Sequence, residues 1–349
     1  YDDIYEFVKS FSAKERVYIS RDQLNYRIVN SIPQEATLVY GPNFTLYPKA
    51  VKTSVEVKNE KTAHIKDAVA LTKFIYWLKT NAASEKISEL SAAEKLYELR
   101  SQQEHFMGES FDPIIAYGEH AAIIHYSATP ETNVTIQPKG LLLADTGGQY
   151  MEGTTDVTRT IVVGPVTDKE KKYFTAVLKG TLRLAAAKFK YGTCGLNLDY
   201  LARQALWEIG ADYNHGTGHG VGYFLNVHEG PNSFHWKITP TRRGDTVFEE
   251  GMITSDEPGY YEAGAFGIRH ENLLVCRKAE QTEYGQFLCF EHLTLVPFDI
   301  EGIVVEDMSD SDLKLLNEYH RKVYSSISAY LTEEERKWLQ DVTKPIRKL

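Results

Sequence analysis

An α+β fold is predicted by three features of the sequence. Strand-like runs and helical periodicities are interspersed along the chain, and several of the strand-like runs come in hairpin-length pairs. Several stretches keep apolar residues at spacings of three and four. The composition, 42% apolar and 25% charged over 349 residues, supports a proper core and excludes collagen-like, low-complexity and coiled-coil classes. At ~150 residues per domain, the length suggests roughly two domains.

Taken in order, residues 1–50 mix short β-like runs, Arg16-Val-Tyr-Ile-Ser20 and Thr37-Leu-Val-Tyr40, with turn chemistry at Gly41-Pro42. About 50 residues bury little core, so this stretch reads as the end of a domain that begins upstream. From residue 60 the spacing of Ile65, Ala68, Leu71, Ile75 and Leu78 predicts a helix. Ser91-Ala-Ala-Glu94 reads as a capping box that opens a second. Ala121 to Tyr126, Leu141 to Asp145 and Val157 to Val163 read as strands. Thr167 and Glu170 open a long helix expected to reach about Lys190. Leu198, Leu201, Ala202, Ala205, Leu206 and Ile209 form an amphipathic stripe closed by Gly210. Strands are expected again from Met252 to Asp256, Asn272 to Cys276 and Phe287 to Pro297. Two helices finish the chain, one around Leu313 to Tyr330 and one capped by Thr332 and Glu335.

Lys+Arg 39 against Asp+Glu 48 gives a formal charge of −9. A general nucleic-acid binder would show a basic face, and adhesion to an acidic membrane is equally disfavoured. No apolar run approaches the ~20 residues of a membrane span. Three cysteines, Cys194, Cys276 and Cys289, form no CxxC. That excludes a disulfide framework and a Cys-rich zinc site and favours a reducing, cytoplasmic setting. The Asn43-Phe-Thr45 and Asn133-Val-Thr135 sequons read as chance matches. Glycine-rich phosphate loops are missing, so nucleotide-binding readings fall away.

The chemistry concentrates between residues 125 and 271. Asp145 ends the apolar run Leu141 to Ala144 and precedes Thr146-Gly147-Gly148. A carboxylate at the end of a buried strand is costly unless paired or metal-bound, although by itself it is as well explained by turn capping. Asp156 lies eleven residues on, in a segment of hairpin length, so the two acids can converge. Thr158 shares the strand face of Asp156, where its hydroxyl could orient a ligating carboxylate. The segment His215-Gly-Thr-Gly-His-Gly-Val-Gly222 is too glycine-rich for a helix. Its histidines are therefore expected on a loop or irregular strand, with His228 close behind. Glu257 ends a short strand before a Pro-Gly turn. If Gly267 to Asn272 is a strand, Arg269 and Glu271 share one face and His270 points to the other. Arg269 would then be an ordinary ion-pair partner or would support a ligating Glu271. Four carboxylates together stay protonated without a cation. Two divalent ions ~3.5–4 Å apart resolve the repulsion, and an oxygen-rich set favours a hard ion such as Mn²⁺.

Five segments carry a resemblance: Ala144 to Thr160, His215 to Gly222, Val227-His-Glu-Gly-Pro231, Asp256-Glu-Pro-Gly-Tyr-Tyr261 and Phe266 to Asn272. In order and spacing they resemble the aminopeptidase P (Xaa-Pro aminopeptidase) family, in its larger, three-domain, cytosolic type. The similarity runs from about Ala63 to Pro297 and on into the C-terminal helices. It implies a pita-bread fold, a curved antiparallel sheet flanked by helices with two similar halves. It divides the chain into a remnant of a preceding domain (1–50), the catalytic domain (51–308) and a C-terminal helical extension (309–349).

By position, the resemblance implies Asp145, Asp156, His219, Glu257 and Glu271 as ligands of two divalent ions, Mn²⁺ or else Zn²⁺ or Co²⁺. Asp156 and Glu271 would bridge them. His125, His215, His228 and Tyr261 match substrate-contacting positions, with His125, His228 and Glu257 in catalysis and Arg269 and Thr158 behind the ligands. The implied reaction is hydrolysis of the bond before a second-position proline by a metal-activated hydroxide. A homodimer through the catalytic domain is implied too. Prolidase, with dipeptide substrates, and a non-catalytic pita-bread peptide-binding module are the rival readings. Two departures stand out. His270 occupies an apolar position of the family, where packing is the simplest reading, and most of the family's N-terminal half is missing from the sequence.

Overall fold

Thr53 opens the first long helix of the protein, Ser54–Asn81, with a capping box closed by Glu56. This is a computed structural model that describes residues 1–21, 23–239 and 244–348. Contacts divide the chain into two units, Tyr1–Lys49 and Ala50–Leu349.

In the first unit, the strands Arg16–Ile19 and Thr37–Tyr40 pair in parallel, in register from Arg16 opposite Thr37 to Ile19 opposite Tyr40. The helix Tyr26–Ser31 lies in the connection, as a parallel pair requires. Val8, Ile19, Ile32 and Ala36 are its buried core.

In the second unit, the strands Ile114–Tyr117, Leu141–Thr146 and Val157–Val162 form an antiparallel sheet with Leu141–Thr146 in the middle. A four-stranded antiparallel sheet runs in the order Ile253–Asp256, Asn272–Thr282, Gly285–His292, Lys188–Lys190. A hairpin, Gly259–Glu262 with Phe266–Arg269, is inserted in the chain between the strands Ile253–Asp256 and Asn272–Thr282 of the second sheet. The helices Ser54–Asn81 and Asp168–Ala185 bury Leu71, Phe74, Leu78, Phe174, Val177 and Leu182 in one apolar cluster with the strand residues Leu142, Ala144 and Ile161. The C-terminal helices Asp310–Ile327 and Glu333–Val342 add Leu316, Tyr319, Val323 and Leu339 to the same cluster. The α+β, pita-bread expectation holds.

Four local expectations are corrected. The second helix is Glu89–Ser101, capped by Ser88, whose Oγ accepts from the Ser91 N–H; Ser91 is therefore the third residue of the box and not its opener. Ala121 to Tyr126 is no strand: a 3₁₀ turn, Gly118–Ala122, leads into turns, and the paired strand is Ile114–Tyr117. The apolar residues Ala121 and Tyr126 are buried by packing and not by a sheet. The helix opened by Thr167 ends at Ala185, and Lys188–Lys190 leaves it to pair with Phe287–Cys289 at a sheet edge. The run from Gly267 to Asn272 breaks at His270 and Glu271, between the strands Phe266–Arg269 and Asn272–Thr282.

Candidate active site

Antiparallel pairing places Asp145 opposite Thr158 and Thr146 opposite Val157, so Asp156 sits just before its strand at the same end as Asp145. The second half repeats the device. Asp256 pairs with Asn272, which brings Glu257 and Glu271, one residue beyond each, to the same strand ends. His219 belongs to a two-residue strand paired with Ser233 and lies beside Ile253–Asp256. The glycines of this segment have a steric reason. A Cβ on Gly218 would stand 1.7 Å from the Ser255 carbonyl oxygen, so only glycine lets the His219 backbone approach that strand.

Ligand atoms of Asp156, His219 and Glu271 lie within 4.8 Å of one another. Nε2 of His219 is 3.4 Å from Asp156 Oδ2 and 3.4 Å from Glu257 Oε1. Its Nδ1 is 3.0 Å from the Gly220 carbonyl. A carbonyl can only accept, so Nδ1 carries the proton and Nε2 presents its lone pair to the acids, the tautomer a metal ligand needs. Ser255 joins two of the candidates. Its Oγ accepts from the His219 N–H at 2.9 Å and donates to Glu257 Oε1 at 3.1 Å. The sequence reading missed Ser255, although its place two residues before Glu257, on the same strand face, was an available signal.

Arg269 acts on a different acid from the one expected, and Thr158 orients a carboxylate that strand alternation does not point to. Thr158 Oγ1 donates to Glu271 Oε2 at 2.8 Å, across 113 residues, and so holds Glu271 and not its strand neighbour Asp156. Arg269 Nη2 donates to Asp145 Oδ2 at 2.5 Å, its Nε to Thr158 Oγ1 at 3.3 Å and its Nη1 to the Tyr261 hydroxyl at 2.8 Å. It supports Glu271 only through Thr158. Tyr261 in turn lies 2.9 Å from His215 Nε2, and His215 Nδ1 lies 2.7 Å from the Gly216 carbonyl. Burial and the Arg269 cation push His215 down to about 3. Burial pushes Tyr261 up to about 12. Both are neutral, and the proton of Tyr261 points at His215.

A cleft of about 370 Å³ opens over the acids, with His125, His228, Phe111, Ile124 and Val227 in its walls. His125 stands in a turn, and the His228 ring packs edge-to-face on His219 with centroids 4.2 Å apart. His215 and Tyr261 are not among the residues that line this cleft; they stand behind Arg269. His270 packs edge-on against Phe174 at 4.3 Å and near Phe298 at 5.6 Å, away from the acids.

The electrostatics ask for a cation. Burial, then the neighbouring Asp145 and Glu257, hold Asp156 well above the usual carboxylate range. Burial and Asp156 do the same to Glu271, and burial raises Glu257. Asp256, fully buried behind them, is also held well up by burial and by Glu271, and neither of its oxygens has a hydrogen-bond partner. Oδ1 of Asp145 is buried and unpartnered as well. Packing like charges at this density stabilises only a protonated set or a metal-loaded one. One neutral imidazole and four carboxylates with a free buried lone pair fit divalent ions of the hard or borderline kind.

Comparison with known proteins agrees with this geometry. The profile of metallopeptidase family M24 matches residues 58–278, and that of the C-terminal region of peptidase M24 matches residues 286–346. A probable Xaa-Pro aminopeptidase P of Paracoccidioides brasiliensis is 44% identical over 305 residues, 85% of this chain and 49% of the relative. One of Aspergillus flavus is 39% identical over 100% of this chain and 55% of its own length. The chain thus spans about half the length of the curated relatives it matches. The crystal structure of an X-prolyl aminopeptidase from Caenorhabditis elegans, described as a cytosolic enzyme with a di-nuclear active site, superposes with a TM-score of 0.91 at 34% identity, covering 99% of this chain and 57% of that one. An Xaa-Pro dipeptidase from Bacillus anthracis superposes at 0.68 with 28% identity, over 85% of this chain and 77% of that one. With the family profile covering well over half of its residues, the chain belongs to metallopeptidase family M24.

Proposed function

We propose that the protein is a metal-dependent aminopeptidase that removes the N-terminal residue from peptides with proline in the second position. The observation that carries this reading is the convergence of Asp145, Asp156, His219, Glu257 and Glu271 at the floor of one cleft whose walls hold His125 and His228. In this reading those five would hold two divalent ions. When bound, such ions lower the pKa of water and polarise a carbonyl. The remaining work falls to the chain. His228 donates a hydrogen bond to the carbonyl oxygen of the scissile bond as it gains charge. His125 contacts the substrate backbone. Glu257, raised by burial, takes the proton of the attacking water and passes it to the leaving nitrogen. Arg269 fixes Asp145, and Thr158 fixes Glu271. His215 and Tyr261 contribute by holding Arg269. Proline lacks an N–H and fixes φ, and Phe111, Ile124 and Val227 offer its ring an apolar wall that demands no N–H partner.

Mn²⁺ is the proposed ion, on the strength of the oxygen-rich donor set, with Zn²⁺ or Co²⁺ next. A cytoplasmic setting is supported by cysteine usage and by the cytosolic description of the nematode enzyme. Among the described residues, no helix is long and apolar enough to cross a membrane. A homodimer is supported by an exposed aromatic cluster, in which Trp207 lies 5.6 Å from Tyr200 and 6.3 Å from Trp236 between ring centroids.

The test is turnover by metal-stripped protein given Mn²⁺, Zn²⁺ or nothing. Release of the first residue from Xaa-Pro-Xaa peptides with Mn²⁺, and little cleavage of Xaa-Pro, is the expected result. Preference for the dipeptide would replace this reading with the dipeptidase one, which the Bacillus anthracis likeness keeps in view. Failure to bind any ion would replace both with a non-catalytic peptide-binding module.

A further inference from the structure

The wall that carries His125 is a long connection, residues 118–134, that follows the strand Ile114–Tyr117 and has a 3₁₀ turn and otherwise no regular structure. Its own hydrogen bonds, among them Tyr126 N–H to the Ile123 carbonyl at 3.0 Å and the Tyr126 hydroxyl to Thr132 Oγ1 at 3.2 Å, stay within the segment and do not fix it to the rest of the fold. One carboxylate gathers it. Glu89, the first residue of the helix Glu89–Ser101, is fully buried. Its Oε1 accepts from the Tyr117 N–H and from His120 Nδ1, both at 2.8 Å. Its Oε2 accepts from the Tyr126 hydroxyl at 2.9 Å and the Val134 N–H at 3.4 Å. The Glu89 N–H donates to the Val134 carbonyl at 3.2 Å. The start, middle and end of the connection therefore converge on one side chain set on a rigid helix.

The middle of the segment is clamped from a second direction. The His120 and Tyr126 rings stack with centroids 4.4 Å apart. A Cβ on Gly267 would stand 1.8 Å from the Ala121 carbonyl oxygen, so the 3₁₀ turn lies directly on the strand that carries Arg269. His125 immediately precedes Tyr126, and both line the cleft together with Ile124 and Ser127.

We infer that Glu89 is a positioning residue: through Tyr117, His120, Tyr126 and Val134 it sets the place of His125 over the acids. This rests on the proposed peptidase reading for its kinetic consequence but not for its structural one. Gln at position 89 keeps one accepting oxygen and turns an N–H₂ towards the Val134 N–H, which cannot accept. Tyr126→Phe removes a single donor and leaves the packing.

Two measurements on the Mn²⁺-loaded protein test it. The first is kcat/KM on an Xaa-Pro-Xaa peptide for Glu89→Gln and Tyr126→Phe, each with and without His125→Ala. Displacement of a substrate-contacting group by a fraction of an ångström to 1 Å predicts roughly a 10- to 100-fold loss for Glu89→Gln and about threefold to tenfold for Tyr126→Phe. Because the effect runs through His125, either change made on top of His125→Ala should cost less than about twofold. Equal losses in both backgrounds, or none in either, overturn the inference. The second measurement needs no activity. Amide hydrogen exchange should rise in Glu89→Gln and Tyr126→Phe within residues 117–134 and not in the strands that carry the acids. Unchanged protection of that segment also overturns it. Should the wild-type protein not cleave the peptide, the peptidase reading fails while exchange still decides the role of Glu89. If Glu89→Gln does not fold, Tyr126→Phe carries both measurements.

Discussion

Two buried acidic clusters lie next to each other in the second unit and differ in one respect. In the first, Asp67 accepts from Arg100 Nε at 2.8 Å and from the Tyr150 hydroxyl at 3.0 Å, and Arg100 Nη2 goes on to Thr146 Oγ1 at 3.0 Å. Glu109 stands 3.8 Å from the same guanidinium. This cluster carries its own cation. In the second, one residue along the strand from Thr146, four carboxylates share a single neighbouring guanidinium, which reaches only Asp145 directly. A further buried acid, Asp199, is also answered internally, by Arg203 Nε at 2.7 Å and Thr217 Oγ1 at 2.6 Å. Asp67 and Asp199 are each neutralised by an arginine, whereas the cleft acids are left without enough positive charge. That deficit, more than the number of acids, marks the second cluster as a place for metal.

The difference can be broken from either side. The largest effect is expected for Asp156→Asn. Peptide turnover should fall about a thousandfold or more, metal content by elemental analysis should drop, and the metal-free protein should unfold at or above the wild-type temperature because a buried carboxyl that must take up a proton on folding is gone. A metal-free protein that is markedly destabilised would show that Asp156 is held by internal contacts after all. Arg100→Met should do the opposite. Leaving Asp67 buried and unpaired costs about 3–5 kcal/mol, read by urea unfolding and equal in size with and without Mn²⁺.

Acid sharpens the comparison further, because the chain also buries neutral bases. His64 is lowered to about 4 and His320 to about 3, in both cases chiefly by burial. The Phe298 N–H donates to His320 Nε2 at 3.1 Å, a bond that only the neutral ring can accept. Both values lie below the ordinary 6.5 of the unfolded chain, so as pH falls the unfolded state takes up protons first. The stability they contribute is complete above about pH 6.5 and is lost as pH falls toward 4 and 3. At pH 5 each should have withdrawn about 2 kcal/mol relative to pH 8. His320→Gln, compared with wild type at the two pH values, should remove about that much of the acid sensitivity.

The smallest effect concerns His270. It is fully buried between Phe174 and Phe298, and neither ring nitrogen has a hydrogen-bond partner of ordinary geometry. His270→Ile should stabilise the protein by about 1 kcal/mol in denaturant melts by removing unsatisfied polar atoms, with turnover unchanged. A loss of stability would mean that the planar ring packs better between Phe174 and Phe298 than a branched aliphatic chain of similar volume.

Much of this was legible in the residues. Leu141 to Asp145 reads as a buried strand ending in an acid because four apolar residues precede a Thr-Gly-Gly turn, and the strand Leu141–Thr146 is there. The glycine load from His215 to Gly222 excluded a helix, and none forms. The run from Ala121 to Tyr126 misled because a mostly apolar hexapeptide looks the same whether its residues are buried in a sheet or packed against one from a turn. The partner of Arg269 misled, and that of Thr158 was not legible, for a related reason. Strand alternation orders neighbours along one segment, whereas Thr158 and Glu271 meet across 113 residues.

By itself, the sequence determined which donor types were available and that the chain has a mixed fold. Both follow from composition and local periodicity, which do not depend on the rest of the chain, whereas the metal-ligating role of four carboxylates and a histidine was implied by resemblance to a family. Only the tertiary structure decided that Arg269 serves Asp145, that Thr158 serves Glu271, that Ser255 ties His219 to Glu257, and that His215 and Tyr261 stand behind the cleft. Those assignments depend on distance and burial between segments far apart in the chain, and on which lone pair remains free once backbone carbonyls have claimed the ring protons of His215 and His219.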